Sequence, residues 1–176
     1  LLEEYVKDVM TAFKDDDRIF AWDLYNEPGG GQDPHRYYKR SFPLLKSIFS
    51  WAREVNPSQP ITAGIWHPPL GEMNVWQIEN SDIITYHTYE PLESHQHLVD
   101  TLKKYQRPMV CTEYMARTQN STFQSIMPML KNENVGAINW GFVAGKIQTY
   151  FSWETITVPC ETEEPELWFH DILRKD

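Results

Sequence analysis

The chain has 176 residues, of which 41% are hydrophobic and 23% charged, a composition that suits one globular domain with a buried core and excludes disorder. Its net charge of −9 at pH 7 makes phosphate backbones and anionic membrane surfaces poor partners, so neither nucleic acid nor membrane binding is expected. No apolar run approaches the ~20 residues that a membrane helix needs.

The two cysteines, Cys111 in an apolar run and Cys160 in a polar loop, make no disulfide framework or metal pattern. The aromatic share of 14%, with seven Trp, suits either a large core or a surface that stacks on flat ligands. The chain opens on Leu1 with no leader sequence and stops at "HDILRKD" inside a helix-like pattern, which predicts a portion of something longer.

In chain order, Leu1, Leu2, Tyr5, Val6, Val9, Met10 and Phe13 recur at helical spacing and predict an amphipathic helix closed by Asp15-Asp16-Asp17. "IFAWDLYNE" reads as a buried strand. Tyr37 to Val55 is helical in period, with Asp33-Pro34 as a start signal and Asn56-Pro57 as a stop. Pro43 should kink that helix or mark its first part as separate. "PITAGIW" predicts the next strand and "VWQIEN" a short helix or turn. "DIITYHTYE" is a strand followed by the helix "SHQHLVDTLKKYQ". "RPMVCTEYMA" is a strand followed by the helix "STFQSIMPMLKNEN". "VGAINWGFVAG" is a fifth strand, then comes a long loop, and "ELWFHDILRK" closes as a helix.

Near-continuous apolar strands alternating with helices mean an α/β protein with a parallel, helix-covered sheet. A doubly wound sheet and a (β/α)8 barrel compete. No G-x-G-x-x-G follows the first strand, which disfavours the nucleotide-binding version. Polar and aromatic residues instead end four strands: Asn26 and Glu27, His87 and Tyr89, Glu113, and Trp140. Barrels assemble their sites in this way, from the C-terminal ends of several strands. A barrel takes about 250 residues and eight strands. Five strands behind a leading helix therefore predict the C-terminal portion of a (β/α)8 TIM barrel, about strand four to helix eight. Residues 1–176 would form a single partial catalytic domain lacking the first three βα units.

Two glutamates, Glu27 and Glu113, each end an apolar run, and in a closed barrel such strand ends face each other across the mouth. Paired carboxylates flanking one point are the apparatus of glycoside hydrolysis, one as acid/base and the other as nucleophile or water-activating base. Asn26 is placed to donate a hydrogen bond to a substrate hydroxyl, and Pro28 fixes the backbone behind Glu27. A retaining mechanism needs one carboxyl ionised and the other protonated; two carboxyls ~5 Å apart help, because ionising one discourages ionising the other. Tyr89 or Tyr86 would hold Glu113 ionised by a hydrogen bond. Side chains alternate along a strand, so His87 and Tyr89 share a side while Tyr86 and Thr88 share the other; His87 and Tyr89 are expected to face the site.

The remaining signals are weaker. Trp66, before His67-Pro68-Pro69, is either a sugar-stacking wall or a packed aromatic under a rigid turn. Trp153 lies in the "TYFSWE" loop and is a second cleft candidate, whereas Trp22, Trp51 and Trp168 are expected in the core. Lys146 either reaches over a sugar or is a solvated loop charge. His95 and His97 in "SHQH" do not share a helix face and lack a third ligand at the usual spacing, so a solvated helix start is expected and no metal. "GGGQ" lacks phosphate-loop context, and no Gly-x-Ser-x-Gly elbow is present.

"DLYNEP" and "VCTEY", with a His-x-Tyr strand end between them and a strand-end Trp after them, resemble the clan A glycoside hydrolases, the retaining (β/α)8 enzymes of the cellulase family five type. "NWGFVAGKIQTYFSWE" and "PELWFHDILRKD" are similar to a bacterial cellulase-like subgroup. The resemblance implies that Glu27 is the acid/base and Glu113 the nucleophile. It further implies that Asn26 contacts the sugar 2-hydroxyl, His87 or Tyr89 orients the nucleophile, and Trp140 forms the sugar platform. The arginine and histidine positions that the clan carries on its early strands have no counterpart here.

The implied function is retaining hydrolysis of β-glycosidic bonds in oligo- or polysaccharides, with no cofactor. By resemblance a secreted or periplasmic location is favoured. The alternative is a catalytically inactive carbohydrate-binding or scaffold protein on the same fold. Exposed barrel edges would favour self-association.

Overall fold

The computed structural model describes residues 1–29, 34–66, 70–156 and 164–173, with the backbone alone at residues 34–39 and 156. The Gly30-Gly31-Gln32 part of "GGGQ", the His67-Pro68-Pro69 turn and Cys160 lie outside the described residues. The described chain folds as two compact units, Leu1–Tyr86 with Tyr105–Met109, and His87–Lys104 with Val110–Asp176.

In the first unit, α1 (Leu2–Phe13) and α2 (Pro34–Val55) lie against each other. Lys7 ties them, donating to Glu3 one turn back and to Glu54 of α2, each at 2.6 Å. The core beneath gathers Met10, Phe42, Leu45, Phe49, Ala52, Ile61, Ala63 and Met73. The spacing of 42, 45, 49 and 52 is the helical stripe that the sequence shows. Trp76 of α3 (Glu72–Asn80) meets Phe42 and Phe49 edge-on, at centroid distances of 5.8 and 5.2 Å. α2 runs through Pro43 as one helix.

The strands of this unit are β1 (Trp22–Asp23) and β2 (Ile61–Thr62), which pair in parallel with Trp22 beside Ile61 and Asp23 beside Thr62. Past β2, Ile65 bridges in parallel to Tyr86 of β3 (Ile84–His87). Asp82 closes the lower end: it accepts the Ile61 amide at 2.8 Å and is clamped bidentately by Arg53 at 2.9 Å. Arg53 and the Ile61 amide hold the Asp82 carboxyl below its ordinary value against the opposing effect of its burial.

The second sheet has the order β3-β4-β5, with β4 (Met109–Glu113) and β5 (Gly136–Ala137) parallel in the register Val110–Gly136 and Cys111–Ala137. Consecutive strands are neighbours, and α4 (Leu92–Leu102) and α5 (Phe123–Asn132) sit between them in sequence. Parallel pairing of this kind requires the crossover helices that the sequence pattern predicts. α5 starts with a reciprocal capping box between Thr122 and Ser125. Cys111 is buried.

Three expectations need correction. The runs around β1 and β5 read as long strands, yet only two residues of each sit in a ladder; beyond them the backbone turns to present side chains, although single bonds continue (Leu24 N–H to Thr62 O, 2.9 Å; Trp140 N–H to Tyr114 O, 3.0 Å). "ELWFHDILRK" is not a helix: among its described residues the chain bends at Glu166-Leu167 and again at Phe169-His170, and Leu173 bridges in parallel to Val143. Trp168, Phe169, His170 and Asp171 are all at least nine-tenths buried, and four consecutive buried residues cannot come from one helical stripe. The third concerns "SHQH". His95 is fully buried, because it lies on the α4 face that carries Leu98, Val99 and Leu102, whereas His97 is exposed.

Burial lowers the His95 pKa from 6.5 to about 4. The unfolded chain therefore takes up this proton first as pH falls. The stability present above pH 6.5 is lost progressively toward pH 4, by on the order of 3 kcal/mol. Urea unfolding at pH 7 and pH 4.5 should show the loss, and His95→Leu should flatten the dependence.

Candidate active site

The chemistry-bearing side chains are built strand by strand. In the first unit, β1 ends in Leu24-Tyr25-Asn26-Glu27, and Glu27 has φ +47°, a left-handed conformation that a glutamate adopts at a cost of about 1–2 kcal/mol. Glu27 is half-buried and its neighbour Asn26 exposed, while Pro28 is buried behind them. Gly29 follows with φ +85°, where a Cβ would stand 2.4 Å from Cε of Met73, so this turn needs a glycine. Trp66 is half-buried, next to Ile65 in the bridge to β3.

In the second unit, three of the residues singled out from sequence come together. Tyr89 Oη donates to Glu113 Oε2 at 2.6 Å, and His87 Nδ1 lies 3.5 Å from the same oxygen. The backbone sets this up. β3 delivers His87, Thr88 N–H donates to Glu113 O at 3.0 Å, and the Cys111 thiol donates to the same carbonyl at 3.4 Å. His87 is buried and Glu113 mostly so, with side-chain exposures of 4% and 13%. The phenol contact is a short hydrogen bond that fixes the Glu113 side chain. Tyr114, one residue on, points the other way and packs edge-on against Phe123 of α5, 6.0 Å between centroids. Burial, and secondarily the Cys111 sulfur, push the Tyr114 hydroxyl up to about 12, so it stays a neutral phenol.

Tyr89 is itself braced. Its ring stands edge-on to Trp153 at 4.9 Å and tilted against His170 at 5.2 Å. Trp153 in turn stands edge-on to Phe169 at 4.7 Å. Trp153 is 45% exposed, so one face packs and the other is open. Trp140 is 44% exposed and lines a cavity of about 520 Å³ with Phe142, Lys146, Ile147, Thr149 and Asp171. Lys146 is exposed.

The sequence motifs do not single out His170 or Asp171. Asp171 Oδ1 accepts from Thr149 at 2.7 Å, and Arg117 holds the carbonyls of Trp168 and Asp171 at 3.0 and 2.9 Å. Gly141, at φ +83°, lets this segment approach: a Cβ there would lie 2.7 Å from Cβ of His170 and 3.0 Å from its backbone. The signal in the sequence is the glycine directly after a strand-end tryptophan. Gly141→Ala should cost about 1–3 kcal/mol and lower the melting temperature by roughly 2–12 °C, read by calorimetry against the wild type.

A site of this composition, a carboxylate fixed by a phenol and an imidazole beside half-open aromatic rings, suits covalent or electrostatic chemistry on a sugar ring. Comparison with known proteins bears on the fold and the family. The family model for "Glycosyl hydrolases family 2, TIM barrel domain" matches residues 2–156. No curated protein matches the chain. Among solved structures, the chain is similar to a Ruminococcus gnavus β-glucuronidase, with 19% identity, a TM-score of 0.58, and coverage of 80% of this chain and 28% of that one. It is similar to Bacteroides uniformis β-glucuronidase 2, with 13% identity, a TM-score of 0.63, and coverage of 80% and 21%. It is also similar to xylanase 10B of Thermotoga maritima, with 19% identity, a TM-score of 0.55, and coverage of 90% and 57%. These likenesses establish a portion of a (β/α)8 barrel, the clan A glycosidase fold; the chain spans about 28% of the first of these structures.

Proposed function

Since the chain belongs to glycosyl hydrolase family 2, as part of its TIM barrel domain, we propose that it carries the catalytic carboxylates of a retaining β-glycosidase. Family 2 replaces the family five, cellulase-like assignment to which the sequence motifs point; the barrel fold is common to both readings. In this reading residues 1–176 contribute one part of a single catalytic barrel domain.

Glu113 is the nucleophile in this reading and Glu27 the acid/base. Glu27 gives its proton to the leaving oxygen while Glu113 attacks the anomeric carbon and forms a glycosyl ester. Glu27 then takes a proton from water, which attacks the same carbon, and Glu113 leaves as a carboxylate. Asn26 contacts the sugar beside the reacting centre, His87 and Tyr89 hold Glu113, and Trp140 and Trp66 supply stacking surface. The observation that carries the reading is the 2.6 Å bond from Tyr89 to Glu113. It leaves that carboxylate a hydrogen-bond acceptor, as a nucleophile must be.

For the sugar, the similar structures support a β-linked pyranoside. Two are described as β-glucuronidases and one as a xylanase, and the Bacteroides uniformis enzyme is described as covalently bound to cyclophellitol-6-carboxylate aziridine. The test is incubation with 2-fluoro-β-glycosides of the glucuronyl, xylosyl, glucosyl, mannosyl and galactosyl series, followed by intact mass and peptide mapping. The chain and the protein that carries it are assayed side by side. An adduct on Glu113 is the expected outcome and names the sugar. Turnover without an adduct, or with inverted product, defeats the retaining mechanism. Sugar binding without turnover in either protein favours the binding or scaffold alternative.

A further inference from the structure

The segment Trp168–Asp171 is buried, carries no part of the reaction proposed above, and touches the residues that do. His170 is its centre. The His170 side chain is 1% exposed, and its Nδ1 lies 2.5 Å from Met115 O. A carbonyl only accepts, so Nδ1 carries the proton. Burial lowers the His170 pKa, the Met115 carbonyl and Asp171 opposing, and the ring is the neutral Nδ1–H tautomer at neutral pH. Its Nε2 has no hydrogen-bond partner among the described residues, so the Met115 bond alone fixes the ring's polar side.

Met115 lies two residues beyond Glu113 and has φ +82°, a conformation that an unbranched L side chain rarely adopts. Such a backbone persists only where its surroundings over-determine it. His170 supplies one determinant directly, by holding the Met115 carbonyl. The Met115 amide lies 3.4 Å from the Ser121 hydroxyl, a longer contact. The same imidazole lies tilted against the Tyr89 ring, with centroids 5.2 Å apart, and Tyr89 holds the Glu113 carboxylate.

We propose that His170 is a positioning residue for the nucleophile: one imidazole fixes the strained turn after Glu113 through its Nδ1–H bond to Met115 O and, through ring contact, fixes the tyrosine that hydrogen-bonds Glu113. It touches neither substrate nor reacting atoms. The inference rests on the reading of Glu113 as nucleophile, and it assigns a task to a histidine on a segment remote in sequence from both motifs. Gly141 belongs to the same device, because only a residue without a Cβ allows His170 to come this close to the turn after Trp140.

The test compares His170→Phe, which keeps an aromatic ring and removes the donor, with His170→Asn, whose amide nitrogen occupies nearly the Nδ1 position. Both are made in the protein that carries this chain. For His170→Phe, kcat should fall about tenfold to a hundredfold with KM within twofold, because small misplacements of a reacting group act on the transition state. His170→Asn should recover part of that loss, because it restores the donor to Met115 O but not the ring against Tyr89. A His170→Phe protein that folds and keeps kcat within twofold overturns the proposal, as does a loss that His170→Asn does not relieve. Should His170→Phe fail to fold, the wild type decides alone. Nitrogen-15 NMR should show the Nδ1–H tautomer with slow exchange of that proton, and an Nε2–H tautomer overturns the clamp. If wild-type protein forms no adduct on Glu113, the proposed function falls, whereas the NMR result judges the clamp independently.

Discussion

Glu113→Ala is expected to lower kcat/KM by on the order of 10⁴-fold, on the scale seen when a member of a nucleophilic constellation is deleted. The reason is specific to the proposed route. Without the carboxylate there is no glycosyl ester, and the remaining reaction must pass an oxocarbenium-like state with no anion beneath it. The substitution also releases the phenol of Tyr89, which donates to Glu113 at 2.6 Å, so a small anion can occupy the emptied place. Added azide should therefore restore turnover and give a glycosyl azide of inverted configuration, because it attacks once from the face that Glu113 occupied. Product configuration by proton NMR checks this. A retained azide, or no loss of activity, removes Glu113 from the nucleophile's role.

How far the sequence reaches this picture differs from residue to residue. The helices are legible because their faces are periodic: Leu98, Val99 and Leu102 on α4, and Phe42, Leu45, Phe49 and Ala52 on α2, repeat at the spacing of one buried stripe. The same stripe includes His95, which is fully buried on α4. Strand extent is less legible. Apolar runs such as "IFAWDLYNE" show where the backbone is covered, not where it is hydrogen-bonded, and the ladder holds only Trp22 and Asp23 there. The last segment misleads for a related reason. Aromatic and aliphatic residues in "ELWFHDILRK" satisfy a helical wheel, but the chain buries Trp168 to Asp171 consecutively, with the amides of Phe169 and His170 donating to Tyr150 and Thr149 at 2.8 and 3.0 Å.

The candidate site divides along the same line. Period-two alternation puts residues 87 and 89 on one side of their strand, so the grouping of His87, Tyr89 and Glu113 follows from local geometry once the strands are neighbours. The bracing by Trp153 and His170 does not follow, because it comes from a long connection with no period of its own. Only the tertiary fold brings such residues to the site, and substitution is the way to weigh them.

For Glu27→Ala the expected effect depends on the leaving group, and that dependence separates an acid/base from a nucleophile. For a substrate whose leaving oxygen must be protonated, kcat/KM should fall by about 10²–10⁴-fold, the ordinary contribution of a positioned general acid. For an aryl glycoside with a strongly acidic phenol, the first step needs little help, and the loss should move to the second step, where Glu27 would activate water. The glycosyl ester on Glu113 should then accumulate and be visible as a mass increase in the intact protein. Azide needs no general base, so it should release the ester and give a glycosyl azide of retained configuration, opposite to that from Glu113→Ala. The half-buried carboxylate and its left-handed backbone (φ +47°) make Glu27→Gln a useful second variant, since it keeps shape and removes only the ionisable group. Equal losses for activated and unactivated substrates, with no ester trapped, would exclude Glu27 as acid/base and leave the site with one assigned carboxylate.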